Sequence, residues 1–205
     1  RRLATMRALA SGLAAVDTEV AVFNASREAL AENLQDLPFS ALYVFDDNGN
    51  ARRQWACGAS DDHVLLPAEI TRGAGIWNLE KAWAKQAIEL VDLSAADSVP
   101  AGPWPKAPSQ AVVIPLIGQG GDQPKGILIS GLNPHRAVSD DYLDFLKLIA
   151  GQITSRLASA EAFETERRRA AALAEAADMR EKAALALEQL NRQLSTEVEL
   201  RTAER

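Results

Sequence analysis

The sequence predicts an α+β fold: a central antiparallel sheet flanked by N- and C-terminal helices, the last of which is drawn out into a long coiled coil. Three observations carry this reading. Apolar residues recur at intervals of three and four from Leu3 to Leu34, which is helical spacing. Two apolar runs, Ala111–Ile117 and Gly126–Leu132, are split by the Gly-rich link Gly118–Asp122, as in a hairpin covered on both faces. Finally, no Gly or Pro follows Gly151, and the chain from there is almost wholly Ala, Leu, Glu, Arg and Gln, the strongest helix formers. One helix from Ser139 to Arg205 would run about 100 Å at 1.5 Å per residue, several times what a domain of this size needs.

Taken in order, Leu3, Met6, Ala10, Leu13, Val16, Val20, Phe23, Leu30 and Leu34 form one amphipathic helix or two in series. Asp17-Thr18 is placed to cap a second segment, and Leu37-Pro38 ends the pattern. Phe39–Phe45 reads as a strand, Asp46–Asn50 as a hairpin turn with the favoured Asn-Gly pair, and Ala51–Gly58 as the returning strand. Residues 59–74 read as loop or short helix, 77–87 as a flanking helix and Ile88–Leu93 as a short strand. Pro100, Pro103, Pro105 and Pro108 surround Trp104 in a rigid loop. After the hairpin, Asn133-Pro134 closes the sheet. Ser139 caps the long helix, with Asp140 and Asp141 in its first turn and Val138 set to staple against Leu143. Phe145, Leu146, Ile149, Ile153 and Leu157 are expected to bury the first turns on the sheet.

Beyond them the core-facing side chains shrink. A heptad places Ala170, Ala177, Ala184, Asn191 and Val198 at one core position and Leu173, Leu187 and Leu194 at the other, with Arg180 and Arg201 interrupting the second. Asn191 either fixes register in that seam or lies on a solvated face. Asp178–Lys182 and Glu188–Arg192 supply i,i+4 pairs. The expected organisation is residues 1–34 as the N-terminal helix or helices, 35–160 as the compact domain, and 161–205 as a coiled-coil linker. A homodimer is expected through the faces Leu3–Leu34 and Tyr142–Leu200, with Leu13, Val20, Phe163, Leu173, Leu187 and Leu194 as the candidate interface residues.

Composition narrows the function. The net charge is −6, and the one basic run, Arg167-Arg168-Arg169, follows Glu164 and Glu166, so a nucleic-acid surface is not expected. Cys57 is alone and closes no disulfide within the chain, which suits a reducing cytoplasm. No apolar run reaches the roughly 18 residues of a membrane helix, so no direct membrane contact is expected. The sequence begins at Arg1 and stops inside a helical pattern, as a segment of a longer signalling protein would.

The helix, the strand pair Ala-Val-Val-Ile-Pro-Leu-Ile and Gly-Ile-Leu-Ile-Ser-Gly-Leu, and the closing helix together resemble the GAF sensory domain. Asp36-Leu-Pro-Phe-Ser-Ala-Leu-Tyr-Val-Phe-Asp-Asp, Pro100-Ala-Gly-Pro-Trp-Pro, Gly131-Leu-Asn-Pro and Tyr142-Leu-Asp-Phe-Leu-Lys-Leu-Ile-Ala-Gly-Gln-Ile look like the GAF domains ahead of the kinase core in bacterial multidomain sensor histidine kinases. Glu164-Thr-Glu-Arg-Arg-Arg-Ala-Ala-Ala-Leu-Ala-Glu175 resembles the helix that leaves such domains. Leu190-Asn-Arg-Gln-Leu and Arg201-Thr-Ala-Glu-Arg205 resemble the linker into a following PAS or kinase module. The resemblance implies a cytoplasmic sensory module that passes a conformational signal through paired helices to a downstream kinase. The alternative it leaves open is a ligand-free spacer and dimerisation module with some other output.

None of these motifs is a ligand signature, and no cofactor is named by the sequence. The candidate pocket residues for a small-molecule ligand are Tyr43, Trp55, Trp77, Trp104, Val113 and Ile129. The tryptophans, Trp83 included, either line a pocket for a flat ligand or plug the sheet face. Cys57 reads as a buried structural residue rather than a reactive thiol or chromophore anchor. GAF-type methionine sulfoxide reductases depend on several cysteines, so that activity is not expected. His63 and His135 read as loop residues rather than haem ligands. Gly118–Gly121 lacks the Lys-Ser/Thr of a phosphate loop. The paired acids Asp46-Asp47, Asp61-Asp62 and Asp140-Asp141 are turn, loop and cap residues. No nucleophile, base and orienting group stand together in the sequence.

Overall fold

In the computed structural model of the chain, residues 1–85, 87–118 and 123–203 are described, side chains excepted at 85, 197 and 200–203. Most of the Gly118–Asp122 link, the side chains of Leu200 and Arg201 and the end of the Arg201–Arg205 motif therefore lie outside the described residues.

The N-terminal periodicity is divided between two helices, α1 (Arg2–Leu13) and α2 (Glu19–Ala31). The break falls at the expected cap, where Thr18 is extended and its hydroxyl accepts from the Ala21 N–H at 3.3 Å. Six strands follow in one antiparallel sheet: β1 (Ser40–Phe45), β2 (Ala51–Cys57), β3 (Glu69–Ile70), β4 (Glu89–Asp92), β5 (Gln110–Leu116) and β6 (Gly126–Gly131). A short helix, α3 (Leu79–Lys85), precedes β4, and α4 (Asp140–Ala203) ends the chain as one helix of 64 residues. Strand order is β3-β2-β1-β6-β5-β4, so the two hairpins β1–β2 and β5–β6 meet at the centre through β1 and β6. The two-residue β3 was not separable from its loop in the sequence, because two residues show no alternation.

Both faces of the sheet are covered, as the unbroken apolar runs require. On one face Leu42, Trp55, Val112, Ile114 and Leu128 pack against α1, α2 and the start of α4. On the other, Phe39, Ala41, Tyr43, Val113, Ile127 and Ile129 pack against α3 and the long loops. The centre leaves no room for larger residues: a Cβ on Gly126 would sit 2.0 Å from the Tyr43 carbonyl oxygen, and one on Gly131 would sit 2.4 Å from the Phe39 ring.

The chain divides into two units, Arg1–Glu161 and Ala162–Arg205. In the first, α4 contributes Tyr142, Leu146, Ile149 and Ile153, all fully buried, with Phe145 and Leu157 beside them. The second is helical through Ala203, and its large apolar side chains are open to solvent: Phe163 is 53%, Leu173 72%, Leu187 61% and Leu194 51% exposed. Its ion pairs are local, including Lys182–Asp178 and Arg192–Glu188.

Candidate functional site

The six residues read as one pocket do not meet in one place. Tyr43, Val113 and Ile129 lie together on the loop-covered sheet face, each with no exposed surface, so they form packed core rather than open lining. Burial pushes the Tyr43 phenol well above its ordinary range, and its hydroxyl donates to the Pro67 carbonyl at 3.0 Å. Trp55 is on the opposite face, in the helix-side core, with its indole N–H donated to the Ser26 hydroxyl of α2 at 3.1 Å. The cause is a β-bulge. Tyr43 is opposite Arg53 and Leu42 is opposite Trp55, so Gln54 is an extra residue that reverses the facing of everything after it in β2. Simple alternation from Ala51 and Arg53 would have put Trp55 beside Tyr43.

Trp104 is displaced as well. Its N–H donates to the Gln35 carbonyl at 2.9 Å and its ring meets His135 edge-on at 5.0 Å, so it anchors the Pro-rich loop at the base of the domain. Gly102, at φ +57°, lets that loop pass against Pro38, where a Cβ would lie 2.7 Å from the carbonyl oxygen.

Of the six, Trp77 borders an open cavity. That cavity, of about 590 Å³, is bounded by the segments 64–77 and 95–98. Trp77 is itself fixed, its indole N–H donating to the Leu65 carbonyl at 2.6 Å. His63 holds the adjoining turn: its Nδ1 accepts from the Leu65 N–H at 3.2 Å, and its Nε2 lies 3.4 Å from the Ser98 hydroxyl. Arg53 braces the same loop by donating to the Leu66 and Asp61 carbonyls. The sequence held one trace of this site, the Arg72-Gly-Ala-Gly-Ile-Trp77 stretch, whose Gly73 and Gly75 adopt φ of +76° and +78°.

The second feature is the joint between the terminal helices. Arg2 of α1 stacks its guanidinium over Tyr142 of α4 at 4.4 Å and reaches Phe145 at 5.6 Å. At the other end of α1, Arg156 of α4 donates to the Leu13 and Ala14 carbonyls, satisfying acceptors that a helix C-terminus leaves free. Tyr142 also donates to the Asp36 carbonyl and accepts from the Asn133 N–H at 3.2 Å. The start of α4 is thereby tied to α1, to the α2–β1 connection and to the end of the sheet. Leu13 is 3% exposed within this joint, which takes it off the outer surface and corrects its assignment to a dimer face. Val20 remains 67% exposed. Beside the joint, a groove of about 480 Å³ lies between α1 and α4 and includes Leu148, which is 59% exposed.

Cys57 is buried, and that burial pushes its thiol up to about 11. Among the described residues no group of three or more His, Cys, Asp and Glu side chains is placed to hold a metal ion. Among them, too, no helix is long and apolar enough to cross a membrane.

The family model described as GAF domain matches residues 17–158. No curated protein matches the chain. Among solved structures, the GAF domain of a phosphoenolpyruvate-protein phosphotransferase from Acinetobacter is 14% identical, with a TM-score of 0.58 over 80% of this chain and 97% of that one. A putative GAF sensor protein from Burkholderia vietnamiensis is 14% identical, with a TM-score of 0.59 over 78% and 91%. Free methionine-R-sulfoxide reductase from Neisseria meningitidis, in complex with its substrate, is 19% identical, with a TM-score of 0.58 over 78% and 90%. At these identities the likeness is one of fold, and the fold is shared by sensors and enzymes alike.

Proposed function

The chain belongs to the GAF domain family, and on that basis we propose that it is a sensory or regulatory module whose output is a conformational change carried by paired helices to a downstream histidine kinase. The observation that supports this most directly is the position of α4: one face of its first turns, with Tyr142, Leu146 and Ile149, is fully buried in the domain core, and the same helix continues to Ala203. A change in how Tyr142, Leu146 and Ile149 pack is therefore a change in the helix that leaves the domain. Packed interfaces of this kind switch between discrete arrangements rather than deforming smoothly. The input end is the cavity beside Trp77. The paired state is a homodimer, supported by Phe163, Leu173, Leu187 and Leu194, each more than half exposed, and by the groove at Leu148. The chain itself is read as a non-enzyme, since its one thiol is buried and protonated.

The test is a fusion of the whole chain to the catalytic core of a dimeric histidine kinase. Arg156→Ala should change autophosphorylation several-fold while the fusion stays dimeric by light scattering. Unchanged activity would leave the chain a passive clamp. One observation favours that second reading, a ligand-free spacer: the sheet face under Tyr43, Val113 and Ile129 is completely filled. Native mass spectrometry of freshly purified protein separates the two, because a stoichiometric retained small molecule eliminates the spacer.

A further inference from the structure

We propose that the cavity beside Trp77 takes an organic cation, a ring-sized apolar body bearing a protonated amine; the inference rests on reading that cavity as the sensory input. Its volume, about 590 Å³, is that of a small-molecule site. The wall is mainly apolar, with Leu65, Ile70, Ile76 and Trp77 among its residues. Among the described residues, the charged ones that line it are Glu69 and Asp97, and no Lys, Arg or His joins them.

Arg72 and Arg53, cations of the adjoining segments, are committed elsewhere, and Arg52, the cross-strand partner of Glu69, is not among the residues that line the cavity. Arg72 pairs with both Glu80 carboxylate oxygens, at 2.9 and 3.0 Å. Arg53 is turned to the Leu66 and Asp61 carbonyls, and the His63 ring holds the Leu65 N–H and the Ser98 hydroxyl. A phosphate or carboxylate would meet two carboxylates and, among the described residues that line the cavity, no cation, whereas an ammonium would gain from both. A bare metal ion is poorly served, since no cluster of three ligating side chains is present among the described residues. The apolar wall instead selects a ligand with hydrocarbon to bury.

The mouth fits such a ligand. Val64 is 89% and Ile76 38% exposed at its edge, an apolar rim that a hydrophobic body would cover. Gly73 and Gly75 carry the bordering loop through left-handed backbone with no atoms within 4 Å of where a Cβ would stand, so the loop tip leaves the entrance clear.

Three probes of equal size separate the charge assignment from the site itself: phenethylamine, phenylacetate and 2-phenylethanol, each titrated into isotope-labelled full chain and followed by amide shifts of residues 64–77. Phenethylamine should bind saturably, and phenylacetate at least tenfold more weakly. The double variant Glu69→Gln/Asp97→Asn should bind the amine at least tenfold more weakly and the alcohol unchanged, with an unaltered melting temperature. Phenylacetate binding as tightly as the amine, or amine affinity undiminished in the variant, overturns the cation assignment. If the amine binds no better than the alcohol, the charge assignment falls while the cavity stands as a ligand site. If no probe shifts residues 64–77, the cavity fails as an input as well.

Discussion

Replacing Leu146 by Ala tests whether the first turns of α4 are structural members of the sensory domain. The side chain is fully buried between sheet and α1, in the cluster that holds Tyr142, Ile149 and Ile153. Leu→Ala at such a site removes the transfer free energy of the lost carbons and leaves a cavity, about 3 kcal/mol together. For a unit of this size each kcal/mol lowers the melting temperature by about 2–4 °C, so a fall of about 6–12 °C is expected. All four tryptophans lie within Arg1–Glu161, and intrinsic fluorescence therefore reports on that unit. The companion change, Leu187→Ala, removes a side chain that is 61% exposed and should move the same transition by no more than about 0.5 kcal/mol. A cost below about 1 kcal/mol at Leu146, or equal costs at the two positions, would refute the division of α4 into a core part and an exposed part.

Tyr142→Phe should cost about 1–3 kcal/mol in urea unfolding, because the hydroxyl joins the Asp36 carbonyl to the Asn133 N–H and its loss leaves buried backbone groups unpaired; a neutral result would remove that bridge from the account. Gly131→Ala should destabilise by about 1–3 kcal/mol, since its Cβ would meet the rigid Phe39 ring at 2.4 Å, and a stable variant would contradict the packing of β6 on Phe39. Cys57, with its thiol raised from 9.0 to about 11, should hold about 100-fold less thiolate at pH 8 than an unshifted cysteine. Its reaction with an aromatic disulfide reagent should therefore be slow in the native protein, quicken as pH rises toward 11, and become fast in urea. Equal rates in the folded and unfolded chain would mean the thiol is not buried.

Much of the fold was legible because strong local signals agree with it. The Thr18 cap, the Asn48-Gly49 turn, the apolar β5 and β6 runs and the buried face of α4 each follow from propensity and periodicity. The site was less legible, and particular residues show why. Trp55 and Tyr43 are both candidate pocket residues by type, but one bulged residue, Gln54, turns Trp55 to the opposite face without any mark in the sequence. Trp104 sits in a Pro-rich loop whose path depends on distant carbonyls, Gln35 among them. Leu13 has the periodicity of an apolar face, but periodicity does not say whether that face meets another chain or, as here, α4 of its own. Trp77 borders the cavity, while Glu69 and Asp97, which set the charge of that cavity, lie in the two-residue β3 and in a loop, stretches with no periodic pattern to read.

The central claim is that the exposed apolar residues of α4 are covered by a second copy of the chain. Multi-angle light scattering at millimolar chain concentration tests it most directly. The account predicts a mass of twice the 22.1 kDa of one chain, returning to the single-chain mass in a Leu187→Glu/Leu194→Glu variant. A wild-type mass of one chain at that concentration would contradict it.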